Sequence, residues 1–169
     1  TRHKKLSVLQ IDAHLDLRDS WEGSPHSHAC VMRRAIDLGA TVVPVGIRNV
    51  SLEEHRFCKK AKIEPITARK CLSDDTWMDQ VLNRLGPTVY VTIDVDGFDP
   101  AYAPGSGTPE PGGLDWYDVT DLLRCVAAEK TIVADDIVEV MPIPGQAVTE
   151  FLAARLAYKT ISYVQGDGR

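Results

Sequence analysis

Val8-Leu9-Gln10-Ile11-Asp12-Ala13-His14-Leu15-Asp16 is an apolar run that passes without a break into acids and an imidazole. Its first half has the near-continuous hydrophobicity of a strand covered on both faces. Side chains alternate along an extended chain, so Asp12, His14 and Asp16 share one face as far as the extended form persists. Residues 89–96 repeat the design: Val89-Tyr90-Val91-Thr92-Ile93 leads into Asp94-Val95-Asp96, and Asp94 and Asp96 again share a face.

On either side of these two stretches, runs rich in Val, Ile, Leu and Thr predict strands at about 6–11, 41–47, 62–67, 88–95 and 131–140. Helical periodicity fills the intervals, over 28–38, 51–61, 73–85, 115–128 and 148–159, with Ser27, Ser73, Asp115 and Thr149 placed as N-caps. Strand alternating with helix implies an α/β fold of three layers, a mainly parallel sheet with helices on both faces. Ligands bind such sheets beyond the carboxyl ends of the strands, where both acidic stretches fall. The long irregular segment at about 96–114 is rich in Pro and Gly, and a loop of that length is more often functional than idle.

The 169 residues fit one domain, 1–169, that folds without disulfides or a structural metal. A net charge of −5 and a pI near 5.5 argue against nucleic acid or an anionic membrane as partner, since both need clustered positive charge. No apolar run reaches the roughly 20 residues of a membrane span, and residues 1–10 do not form a signal peptide. Cys30, Cys58, Cys71 and Cys125 are scattered, as expected of reduced thiols in a cytoplasmic protein. The sequon Asn49-Val50-Ser51 reads as a chance match in that compartment.

A hydrophobic strand does not end in two like charges without a cation to neutralise them. Asp12, His14, Asp16, Asp94 and Asp96 offer mixed oxygen and nitrogen donors suited to a hard or borderline divalent ion. Five ligands exceed the needs of one catalytic ion and suit a pair roughly 3.5–4 Å apart. On residue type alone, Glu139 reads equally as a solvated strand-end charge, and His28, beside His26, as a surface or helix-start histidine.

These residues resemble the ureohydrolase family of arginases and agmatinases, whose members hold two manganese ions with an Asp-x-His-x-Asp strand end and a later Asp-x-Asp strand end. The resemblance runs from residue 8 to about residue 160. It includes Thr92-Ile93-Asp94-Val95-Asp96, Asp99-Pro100, Pro104-Gly105, the run Gly107-Thr108-Pro109-Glu110-Pro111-Gly112-Gly113-Leu114, and Val138-Glu139-Val140 with Pro142. Ser27-His28-Ala29-Cys30 with Arg33-Arg34 is closer to agmatinase-type members than to arginases.

The resemblance implies an arginase-like fold and two Mn²⁺, with Asp12 and Asp94 bridging, Asp16 completing one ion and His14 with Asp96 the other. It implies that Glu139 pairs with the substrate guanidinium, that Thr108 contacts substrate, and that His28 passes a proton to the leaving amine. The implied reaction is hydrolysis of a small cationic guanidino compound, first agmatine to putrescine and urea, by a manganese-bridging hydroxide that Asp16 orients. A homo-oligomer, trimer or hexamer, is implied as well.

One departure stands out. The family takes a further ligand from a Gly-Gly-Asp-His string after an upstream strand, and that string does not occur here. Gly112-Gly113-Leu114-Asp115 has no His, and His3 is too early and on the wrong side of its strand. The chain is therefore expected to be the carboxyl-terminal part of such a domain, truncated at the N-terminus with the first strands missing. It would be one imidazole short at the ion held by Asp16, with weak binding of that ion and little activity alone.

Two alternatives remain open on sequence. One is a non-catalytic ureohydrolase relative acting as a scaffold or regulatory subunit. The other is a haloacid-dehalogenase-type, magnesium-dependent phosphatase, with Asp94-Val95-Asp96-Gly97 as nucleophile motif, Asp135-Asp136 as the later magnesium pair, and Thr108 and Lys130 between them.

Overall fold

The computed structural model describes residues 5–166, and His3 lies outside them. The strands are β1 (Leu6–Ile11), β2 (Thr41–Ile47), β3 (Ile66–Thr67), β4 (Thr88–Asp94) and β5 (Thr131–Val138). The helices are α1 (Val31–Asp37), α2 (Leu52–Ala61), α3 (Ala68–Ser73), α4 (Trp77–Arg84), α5 (Trp116–Glu129) and α6 (Val148–Gln165). All strand pairs are parallel, in the order β3-β2-β1-β4-β5. Two apolar cores sandwich the sheet. One gathers Leu9, Ile11, Val91 and Ile93 with Trp77, Val81 and Leu122, and the other gathers Val8 and Val42 with Met32, Leu17 and Cys58. The three-layer α/β architecture is as the strand–helix alternation predicts.

The register positions the site. Ile11 lies opposite Val45 on one side and Ile93 on the other, so the acids that follow β1 and β4 emerge side by side at the centre of the sheet. Gly97 makes this approach possible, because a Cβ there would come within 2.9 Å of the Asp12 backbone nitrogen.

Several predicted boundaries move, each for a local reason. The strand expected at 62–67 shrinks to Ile66–Thr67, since Lys62 takes a left-handed φ of 57° to end α2. The helix expected at 73–85 begins only at Trp77, as α4, and a separate helix, α3, precedes it over Ala68–Ser73. Asp74 accepts bonds from the Thr76 N–H and hydroxyl, which offers the backbone a local alternative to helix. Ser73 is consequently the last residue of α3, which Thr67 caps instead. The helix expected at 28–38 opens as a 3-10 turn, His28–Cys30, and the Ser27 side chain makes no cap bond. Asp115 does cap α5, in a reciprocal box with Asp118. Thr149 lies inside α6, where its hydroxyl accepts from the Gly105 N–H at 2.7 Å. The strand expected at 131–140 stops at Val138, which leaves Glu139 just beyond it.

All four cysteines are unpaired, three of them buried. Among the described residues, no helix is long and apolar enough to cross a membrane.

Candidate metal centre

Asp12 leaves β1 with its N–H still bonded to the Val45 carbonyl at 3.0 Å, so the first acid is fixed by the sheet itself. Its Oδ1 accepts from the His14 N–H at 2.6 Å and its Oδ2 from Gln10 Nε2 at 2.9 Å. From the neighbouring strand end, Asp94 accepts from the Asp96 N–H at 2.9 Å. Asp96 in turn accepts from the Ala13 N–H at 3.1 Å and from the Thr108 hydroxyl at 3.0 Å. His14 Nδ1 stands 3.0 Å from Asp96 Oδ2 and 3.6 Å from Asp12 Oδ1. One donor atom each from Asp12, His14 and Asp96 lies within 4.8 Å of the other two, close enough for a single metal ion to reach all three.

Charge crowding is severe. Burial, then the charges of Asp12 and Asp96, push the Asp94 carboxyl up to about 9. Burial and the Asp12 charge push Asp16 up to about 8. Burial also raises Asp12, while hydrogen bonds to Asp12 and Asp96 lift His14 to about 10. Asp96 alone goes down: burial opposes its ionisation, but bonds from His14, the Ala13 N–H and Thr108 outweigh it. A divalent cation is the counter-charge that would let these carboxylates ionise together, so the donor set fits such an ion.

The acids open onto a cavity of about 430 Å³. His14, Asp16, Asp94 and Asp96 line it together with His28, Thr108 and Glu139. Of the site residues expected from sequence, only Asp12 is absent from the wall, buried against His14 and Asp96. Asp16 and Glu139 both hold left-handed backbone, φ 52° and 61°, rare for residues with side chains and enriched where function constrains the chain. The wall also carries Trp21, with the Arg18 guanidinium 4.2 Å above its ring.

Three further residues stand at the site with no role assigned to them from sequence. Glu54 is buried beside Asp16, accepting from the Leu17 N–H at 3.1 Å and the Ser51 hydroxyl at 2.7 Å. Its signal was present, because Ser51-Leu52-Glu53-Glu54 is a capping box. Arg48 and Glu110 meet across the fold and carry no local signature.

The phosphatase alternative does not survive this geometry. Asp136 lies within β5, bonded to the hydroxyls of Tyr90 and Thr92. Lys130 precedes β5, at the amino end of the strands, whereas Asp94 sits at the carboxyl end of β4.

The arginase-family profile matches residues 1–162. The chain belongs to the arginase family. It is 42% identical over 158 residues to N(1)-aminopropylagmatine ureohydrolase of Synechocystis sp., covering 93% of this chain and 52% of that protein. It is 41% identical to agmatinase of Pyrococcus horikoshii, covering 92% of this chain and 54% of the relative. Its fold superposes on the crystal structure of agmatine ureohydrolase of Thermoplasma volcanium with a TM-score of 0.85 at 37% identity, over 95% of this chain and 55% of that one. This arginase-family chain therefore spans about half the length of the curated relatives it matches.

Proposed function

We propose that this chain carries the metal-holding and guanidinium-reading residues of a ureohydrolase acting on agmatine or its N1-aminopropyl derivative. The observation that carries the reading is the convergence of Asp12, His14 and Asp96 within 4.8 Å, on a cavity that also receives Asp16, Asp94, His28, Thr108 and Glu139. Relatives named for agmatine and aminopropylagmatine favour these two substrates over other guanidino compounds.

Asp12, His14, Asp16, Asp94 and Asp96 would hold two Mn²⁺. The imidazole of a Gly-Gly-Asp-His string would come from the half of the family domain that this chain does not span. Ions bound there would supply ionised water near neutral pH. The remaining work falls to side chains. A guanidinium is a resonance-stabilised cation, so it must be held still over its attacker, and the Glu139 carboxylate pairs with its N–H groups to do so. Asp16, at the cavity wall, would accept a hydrogen bond from the attacking water and set its direction. Carbon–nitrogen cleavage then needs a proton on the departing amine, and His28 at the cavity wall donates it, leaving urea and a primary amine. The family assembles as homo-oligomers, and the same is proposed here.

The test is urea release from agmatine and from N1-aminopropylagmatine by the Mn²⁺-loaded full polypeptide. Glu139→Gln should abolish turnover while Mn²⁺ binding persists. Manganese binding without urea from any guanidino compound would favour the non-catalytic scaffold.

A further inference from the structure

The geometry points to Glu110 as the carboxylate that aims the His14 ring, with Arg48 and Asn49 as the residues that hold Glu110 in place. This rests on the metal-site reading above and adds residues to it.

The two ring nitrogens of His14 face different ways. Nδ1 turns to Asp96 and Asp12, as a metal ligand would. Nε2 turns to the other side, 3.8 Å from Glu110 Oε1 and 3.5 Å from Asn49 Nδ2. A histidine that binds metal through one nitrogen ordinarily presents the other to a carboxylate or carbonyl, which sets the tautomer and the ring orientation. Glu110 stands in that position, and Asn49 Nδ2 donates to the same Oε1 at 2.5 Å.

The backbone of Glu110 is held as firmly. Arg48 Nε and Nη2 donate to its carbonyl at 3.2 and 2.7 Å. The same guanidinium donates to the carbonyls of Asp96 at 2.6 Å, Phe98 at 3.1 Å, Gly97 at 3.2 Å and Gly46 at 3.0 Å. Arg48 makes no salt bridge among the described residues, so its donors are spent on main chain from three segments: the end of β2, the turn bearing Asp96 and the loop bearing Glu110. Only a planar fork reaches so many acceptors from one position, which a Lys ammonium does not. Gly113 keeps the space clear, since a Cβ there would lie 2.7 Å from Arg48 Nη2. Arg48 and Glu110 are accordingly positioning residues.

The experiment titrates Mn²⁺ into the full polypeptide by electron paramagnetic resonance, for wild type, Glu110→Ala, Glu110→Gln and Arg48→Lys. Melting of each metal-free variant is recorded in parallel, with exchange of the His14 ring N–H followed by NMR in the Co²⁺-loaded protein. Glu110→Ala should weaken one Mn²⁺ site by about 10–100-fold and speed ring N–H exchange, without moving the metal-free melting temperature. Glu110→Gln, which keeps an acceptor, should recover part of the loss, and Arg48→Lys should weaken the same site. Wild-type affinity and exchange in Glu110→Ala would overturn the inference, as would a melting temperature that falls in step with affinity. If wild type binds no Mn²⁺, the site reading itself fails along with it.

Discussion

β1 and β5 are both short parallel strands, yet the fold treats them in opposite ways. From Ser7 to Ile11 every residue of β1 is buried, whereas no residue of β5 is. β1 lies between β2 and β4, while among the described residues β5 has β4 alone as neighbour. The flank around β5 continues onto α6, where Phe151 is 69% and Tyr158 66% exposed. Asp12, His14 and Asp16 follow the enclosed strand, and Glu139 follows the open one. The side bearing Asp12, His14 and Asp16 is thus supported by packing within this chain, whereas Glu139 follows a strand with no buried residue. That asymmetry accords with a chain about half as long as its relatives.

The sharpest contrast should come from the enclosed region. Phe98 is fully buried in the turn between Asp96 and Asp99, so Phe98→Ala should cost about 3–5 kcal/mol in urea unfolding. Next in size, Gly97→Ala forces a Cβ against the Asp12 nitrogen and should cost about 1–3 kcal/mol. Because it displaces Asp12, it should also lower Mn²⁺ affinity in calorimetry if the proposed site holds that ion. A neutral outcome for Gly97→Ala would mean that the two strand ends are not in close contact.

The third expectation concerns pH. Asp16 and Asp94 have folded values of about 8 and 9, raised from 3.8, so the metal-free fold keeps protons that the unfolded chain has released. Its stability should therefore fall as pH rises from about 4 towards 9, reversing the usual carboxylate trend. A divalent cation displaces those protons. Its affinity should rise with pH across 7 to 9, by up to roughly tenfold per unit for each proton released. Calorimetry in two buffers of different ionisation enthalpy reads the proton count, and a count of zero would contradict the crowding of these acids.

The smallest effect belongs to the open flank. Phe151→Ser should change stability by less than about 0.5 kcal/mol when the chain is studied alone. A cost near that of Phe98→Ala would show that the flank is covered in solution and would remove the contrast with β1.

Much of the candidate site was legible because its residues follow strands, and strand ends announce themselves as apolar runs turning polar. His28 and Glu139 were legible only through family resemblance, since neither an exposed histidine nor a strand-end glutamate carries a chemical signature of its own. The boundary at Ser73 was misplaced because Asp74 competes locally with the helix, an interaction that periodicity does not register.

By itself the sequence determined the alternation of strand and helix, the parallel three-layer plan and the acids at the two central strand ends. Those features follow from local period and residue type. Only the tertiary structure decided that β5 is an open edge, that Asp16 and Glu139 hold left-handed backbone, and that Arg48 grips a loop 62 residues away. Burial, charge crowding and backbone carbonyls shared by one guanidinium depend on which segments become neighbours, and no local pattern encodes that.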